Sequence, residues 1–392
     1  MAPAPRPRAL AATSAPAIAA LAALAVCAAC APSPATPAPP LDVHLVLTER
    51  WAQGGRLVVV DDAGDRQAVL VAPPAGPPTA VRDEQAAFSP DGRWIAFAST
   101  RGGDLDHTAL WLVAARAGAE PVRLTDPGHH DVSPAWTPDG RALVFASDRG
   151  GFGSFQLYRL ELGAALASAT PAAALPAPRA LTSAGLDFVA PTVAADGRLV
   201  SQVITRGLAP TSYLALVDDS GLPQPLTDGP DDATPAWAPD GRHLAYASRR
   251  PHAGGGDDVD LFMLDTARDR PPVVLAALPA TDESGPVFSR DGRWLFATSV
   301  ALGPDGEPLF SSVIVIDLRD PTFAPRMLRD QVGAIVRAGP ALAPVPLDEV
   351  ALRRAPPYGD ALAQALRELE EARAAAAAAT TPPAVLPAAP GR

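Results

Sequence analysis

Four acidic residues recur at one place in a repeating pattern: Asp83, Asp131, Asp232 and Glu283. Each stands three positions before a Pro (Pro134, Pro235, Pro286) or, in the first copy, before Ala86. A further copy has Phe188 there with Asp187 adjacent, and a degenerate last copy has Arg337. Carboxylates brought together in a ring repel one another and attract cations. The ligand such a ring would take is a Ca²⁺ ion or an Arg- or Lys-bearing segment of a partner. The competing role is structural: each acid caps a turn or pairs with a nearby Arg such as Arg149.

Other chemistry is thinner. His129-His130-Asp131 is the one clustered histidine pair. Adjacent residues on a strand point to opposite faces, so these read as a polar loop rather than a chelate. The nearest approach to a Gly-x-Ser-x-Gly nucleophile elbow, Gly151-Phe152-Gly153-Ser154-Phe155, lacks the last Gly. The chain has no Lys, so all 32 basic residues are Arg. That removes a phosphate-loop lysine, a Schiff-base lysine and a Ser-Lys dyad. A net charge of −11 with no basic stripe argues against nucleic-acid binding. Both cysteines, Cys27 and Cys30, fall near the start, so the body has no disulfide framework or cysteine metal site.

What would position the acids is a repeat. The stretch from Ser133 to Gly151 reads as an apolar strand, an Asp139-Gly140 turn and a second apolar strand. Asp-Gly between two β-prone runs signals a hairpin, because a tight turn needs positive φ at its centre. Further copies turn at Asp91-Gly92, Asp196-Gly197, Asp240-Gly241 and Asp291-Gly292, spaced 48, 57, 44 and 51 residues apart along the chain. Each hairpin is followed by a third strand, such as Ala109–Val113 or Leu261–Leu264, and a short fourth, such as Val122–Thr125 or Val273–Ala276. Four strands at that period predict the blades of a β-propeller. Residues 44–73 supply the later strands of a unit with no opening strand, and Gly339–Leu347 copies an opening strand without Asp-Gly. Joined, they make a sixth blade and leave no open edge. The opening strands line a propeller's central channel, which would set the acids around one mouth.

The flanks differ in kind. Residues 1–29 have Arg6 and Arg8, an apolar run and small residues before Cys30, the layout of a secretory leader. Leu24-Ala-Val-Cys27-Ala-Ala-Cys30 resembles a bacterial lipobox, with lipidation expected at Cys30 and Cys27 as the alternative. Residues 30–43 form a Pro/Ala-rich tether and 44–350 the propeller. In residues 351–392, Asp360 caps an expected helix of about 20 residues that ends at Thr380-Thr-Pro-Pro383.

Ser89-Pro-Asp-Gly-Arg-Trp-Ile-Ala-Phe and Thr137-Pro-Asp-Gly-Arg with Ser147-Asp-Arg-Gly resemble the PD40 (WD40-like) repeat of the TolB-type β-propeller over residues 44–348. The resemblance implies a periplasmic protein, as members of the TolB family are, and a protein-binding one, as TolB itself binds the peptidoglycan-associated lipoprotein. The chain departs from TolB in its lipobox and in having only residues 41–43 between Pro40 and His44, with no α/β domain there. The sequence therefore reads as all-β, a six-bladed propeller with a helical tail. It is expected to be an exported lipoprotein, held at the outer membrane because Ala31 rather than Asp follows Cys30, that binds envelope proteins without catalysis. The opposing expectation is an enzyme, or a propeller binding a sugar or cation, acting at the channel mouth.

Overall fold

A computed structural model describes residues 44–347, except 52–53, 62–66, 72–80, 104–105, 117–118, 152, 164–165, 167–174, 184, 254–255, 304–307, 329–335 and 345–346. The leader, Cys27, Cys30, the tether and the C-terminal helix lie outside the described residues.

The described strands form six four-stranded antiparallel sheets. Blade 1 is β4 (Asp83–Phe88), β5 (Trp94–Ser99), β6 (Ala109–Ala114) and β7 (Val122–Arg123). Blade 2 is β8 (Asp131–Trp136), β9 (Ala142–Ser147), β10 (Gln156–Glu161) and β11 (Arg179–Ala180). Blade 3 is β12 (Asp187–Val193), β13 (Leu199–Ile204), β14 (Ser212–Val217) and β15 (Pro223–Pro225). Blade 4 is β16 (Ala233–Trp237), β17 (His243–Ser248), β18 (Asp260–Asp265) and β19 (Val273–Ala276). Blade 5 is β20 (Thr281–Phe288), β21 (Trp294–Leu302), β22 (Pro308–Asp317) and β23 (Arg326–Met327). Blade 6 joins β24 (Val336–Leu342) to β1 (His44–Trp51), β2 (Gly54–Asp61) and β3 (Gln67–Val69), in the order β24-β1-β2-β3. The end-joined, six-bladed arrangement expected from the repeats is the one observed.

The opening strands touch one another in cyclic succession, β4 to β8, β12, β16, β20, β24 and back to β4. They are therefore the innermost. The second strands β5, β9 and β17 are buried almost throughout because a neighbouring blade covers each face. Phe97, Phe145, Tyr246 and Phe296 fill the seams, each essentially without exposure. One cluster unites Val46, Leu57 and Ala341 of blade 6 with Ile95 and Phe97 of blade 1, so the joined blade packs like the others.

The Asp-Gly turns differ in detail from the expected two-residue hairpin. In each, the Gly N–H donates to the carbonyl three residues back, for example Gly140 to Thr137 at 2.9 Å and Gly92 to Ser89 at 2.9 Å. Gly is thus the fourth turn residue rather than a central one, with φ of +66° at Gly140 and +73° at Gly92. Pro138 and Asp139 take the central places, as suits a turn with Pro second. The Asp is a clamp: Asp139 Oδ1 accepts from Thr137 Oγ1 (2.6 Å) and from the Arg141 N–H (3.1 Å).

A second device was not expected. Gln85, Ser133, Ala190, Thr234 and Gly285 all have positive φ, at the same place in five successive opening strands. Each lies where the ladder to the second strand slips, as between Val132 and Ala135. These are bulges, and they stitch blades together: Ser133 N–H donates to Gln85 Oε1 (2.7 Å) and Gly285 N–H to Thr234 Oγ1 (3.2 Å). Four of the five are followed directly by Pro, which strands tolerate at bulges.

Candidate functional site

The four acids sit at the start of the opening strands, around one mouth of the ring, but they do not form an open ring of carboxylates. Asp83, Asp131, Asp232 and Glu283 are each at most 1 % exposed. The reason is visible blade by blade. In blade 1, Arg101 Nε donates to Asp83 Oδ1 (2.7 Å) and its Nη2 to Oδ2, while Ser99 Oγ also donates to Oδ1 (2.7 Å). In blade 2, Arg149 Nη2 donates to Asp131 Oδ2 (2.6 Å) and Nε to Ser147 Oγ (3.0 Å). The Arg149 guanidinium also lies 5.3 Å from the Phe145 ring centroid and 5.2 Å from that of Tyr158. In these two blades the Ser-x-Arg ending the second strand therefore neutralises the acid.

The other blades depart from this scheme one at a time. In blade 4, Arg250 is drawn outward to Asp228 (2.6 Å) and stands 3.5 Å from Asp232. Asp232 compensates in part through the Gly229 N–H (3.1 Å). Blade 3 has buried Phe188 at the acid's place, and its ion pair is displaced by one residue to Asp187 and Arg206 (2.7 Å). In blade 6 the register sets Arg337 of the opening strand opposite Glu49 of the second, an exchange of sign between the two strands. In blade 5, Ala301 stands where the Arg would be, and Glu283 accepts only from neutral donors: Thr281 Oγ1 (2.5 Å), Ser299 Oγ (2.9 Å) and the Leu278 N–H (3.4 Å). Burial, opposed by these bonds, pushes the Glu283 carboxyl up to about 7.

Among the described residues no group of three or more His, Cys, Asp or Glu side chains is placed to hold a metal ion. Internal Arg groups hold Asp83 and Asp131, so neither faces an incoming ion.

His129 and His130 do not act together. His129 Nδ1 is 3.8 Å from Asp148 Oδ1, and the His130 ring lies 5.1 Å from that of His107, tilted by 34°. Among the described residues, the histidine with a buried acidic partner is His252, in the loop between β17 and β18. Its Nε2 is 2.7 Å from Asp260 Oδ2, and that bond holds its pKa above the ordinary imidazole value. Asp260 itself is raised, because its burial outweighs the histidine's opposing effect. The sequence carried no signal for this pair beyond the two residue types. Ser154 is buried, and its hydroxyl meets Gln156 Nε2 at 3.4 Å rather than a base.

Near the same mouth, blades 3 and 4 leave a hollow of about 110 Å³ lined by Gln202, Ile204, Pro210, Thr211, Ser212 and Asp231. Leu208, on the hairpin beside it, is fully exposed.

Comparison with known proteins agrees with this architecture. Residues 79–255 match the family model PD40, the TolB beta propeller domain. TolB from Acinetobacter baumannii is similar in structure, with a TM-score of 0.57 and 18% identity over 77% of this chain and 66% of that one. A putative TolB from Agrobacterium tumefaciens aligns with a TM-score of 0.50 and 17% identity over 76% of this chain and 91% of that one. Hydrazine synthase from Kuenenia stuttgartiensis shares the fold too, at a TM-score of 0.57 and 14% identity over 78% of this chain and 47% of that one. No curated protein matches the sequence. At these identities the likeness is one of fold.

Proposed function

We propose that this chain, a TolB-type β-propeller protein built from PD40 repeats, is a non-catalytic binding scaffold of the cell envelope. Its ligand in this reading is another envelope protein, and a lipid on Cys30, or on Cys27, tethers it to the outer membrane on the periplasmic side. The observation that carries the reading is the fate of the charged groups at the mouth. Arg101, Arg149 and Arg250 engage the acids Asp83, Asp131 and Asp232 inside the blades, which spends them on structure. Acid–base catalysis needs such groups turned toward a substrate. What the mouth offers outward is relief: the hollow beside Asp231 and the protruding Leu208, features suited to contact with a folded surface.

The test is purification of the full chain from detergent-solubilised membranes after mild crosslinking. The expected result is a stoichiometric protein partner, retained when Asp131 and Asp232 are replaced by Ala in a variant shown to fold. Recovery of a bound sugar or metal instead of a protein overturns the reading. Anchoring is tested separately, since Cys30→Ala is expected to release the protein from membranes and Cys27→Ala is not.

A further inference from the structure

Among the described residues, the one buried acid without a cation lies at the seam between blades 4 and 5, and so does the one histidine with a buried acidic partner. The start of β20 is bonded directly to the start of β18. Glu283 N–H donates to the Val259 carbonyl (2.7 Å), Val259 N–H to Asp282 Oδ1 (2.9 Å) and Ala280 N–H to Asp258 Oδ2 (3.2 Å). The charges facing one another across this seam are mostly negative. Asp260 on β18 faces Glu283, and Asp258 and Asp282 face Asp260 in turn. The opposing cations are few: His252 on Asp260, and Arg249, 3.8 Å from Asp282. On the neighbouring second strand, Tyr246 and Arg250 face Asp232 rather than Glu283. On the other side, β24 carries Arg337 in register with Glu49.

The hydroxyl of Thr281 shows what the proton on Glu283 does. Thr281 Oγ1 is 2.9 Å from the Leu278 carbonyl and 2.5 Å from Glu283 Oε1, and both are acceptors when Glu283 is ionised. A hydroxyl has one proton, so it can satisfy both contacts only if the carboxyl donates to it. With Glu283 neutral, the chain Glu283–Thr281–Leu278 closes the loop that leads from blade 4 into blade 5. With Glu283 ionised, Thr281 must release either the carbonyl or the carboxylate, and a fresh negative charge is left facing Asp260.

We propose that the seam between blades 4 and 5 is a pH-responsive joint, closed while Glu283 is neutral and His252 is charged and loosened when both lose their protons. Each proton lost adds to the same imbalance, because one creates an anion and the other removes a cation. In blades 1 and 2 a permanently charged guanidinium holds the acid, so their seams carry no such device. The joint does not depend on what the propeller binds.

Hydrogen exchange of the full chain at pH 5.5 and 8.5, corrected for intrinsic rates, tests this. Protection over 252–262 and 278–286 is expected to fall at least about tenfold relative to blades 1 and 2 as the pH is raised, one order of magnitude for each pH unit over which a proton is lost. Two variants are expected to shrink that fall to about threefold or less: Glu283→Gln, which cannot ionise, and Ala301→Arg, which restores the missing cation. Should Ala301→Arg fail to fold, Glu283→Gln alone decides. Seam protection that tracks blades 1 and 2 across this pH range, or an unaltered fall in Glu283→Gln, overturns the proposal.

Discussion

Replacing Arg149 by Ala separates a structural role for the mouth's charges from a binding role. The substitution removes the 2.6 Å bond to Asp131 Oδ2 and leaves a carboxylate with no exposure. The other oxygen, Oδ1, already has no hydrogen-bond partner, so nothing within the blade takes over. Breaking a buried pair from one side typically costs about 3–5 kcal/mol, because an uncompensated charge stays inside. The contacts with Phe145 and Tyr158 go too, about 0.5–1 kcal/mol each. The expected loss in urea-induced unfolding is therefore about 4–7 kcal/mol. The double replacement of Asp131 and Arg149 by Ala should recover part of it, with a coupling of about 2 kcal/mol in the double-mutant cycle. Arg93→Ala is the control, since its pair with Asp91 joins side chains 78% and 46% exposed and should matter by less than about 1 kcal/mol. If Arg149→Ala proves no more destabilising than Arg93→Ala, the carboxylate is hydrated or otherwise served, and the argument from internal neutralisation fails.

Two further outcomes follow from the geometry. Deleting residues 336–342 removes β24, exposes β1 as an open edge and should abolish the cooperative unfolding transition; a sharp transition in the truncated chain counts against closure by the two ends. The pH dependence of stability should be two-sided. Glu283 is raised from 4.5 to about 7, so the folded state holds its proton more tightly than the unfolded chain. That contribution is complete below 4.5 and is lost as the pH rises through 7, up to about 3 kcal/mol at about 1.4 kcal/mol per unit. Asp187, held low by Arg206 and the Phe155 N–H against the opposing effect of burial, and Asp265, held low by Arg242, work the other way. Their stabilisation is present above the ordinary carboxylate range and disappears in acid. Urea midpoints from pH 3 to 9 should pass through a maximum, and Glu283→Gln should flatten the alkaline limb alone.

The ring was legible because its signals are local and repeated. Asp-Gly turns and apolar strands recur often enough that one degenerate unit, Gly339–Leu347, supplies the opening strand missing before His44. The acids were legible as positions but not as roles. An open ring and an internal pair with Arg149 need the same residues, and only burial distinguishes them. The bulges were hidden because a left-handed residue such as Ala190 or Thr234 has no side-chain requirement of its own, although the Pro that follows marks the place. The pairing of His252 with Asp260 is not legible in the sequence because they meet only when the chain after β17 folds back against β18, a contact that strand periodicity does not encode.

A ring of near-identical units has no preferred direction, so whatever gives this propeller a specific face must come from where its units differ. Blades 1 and 2 keep the full scheme, with the acid, the Ser and the Arg in contact. Blade 3 shifts the pair outward by one residue, blade 4 pulls its Arg toward Asp228, and blade 5 replaces the Arg with Ala301. The hollow beside Asp231 and the exposed Leu208 belong to blades 3 and 4 as well. Three successive blades therefore alter the internal pairing, and only blade 5 loses its cation, on the side of the ring where relief and negative charge also appear. Repeats conserve what the fold needs from every blade. The departures in blades 3 to 5 are features the ring does not require, and under the proposed scaffold reading they, rather than the repeated acids, are where specificity is to be sought.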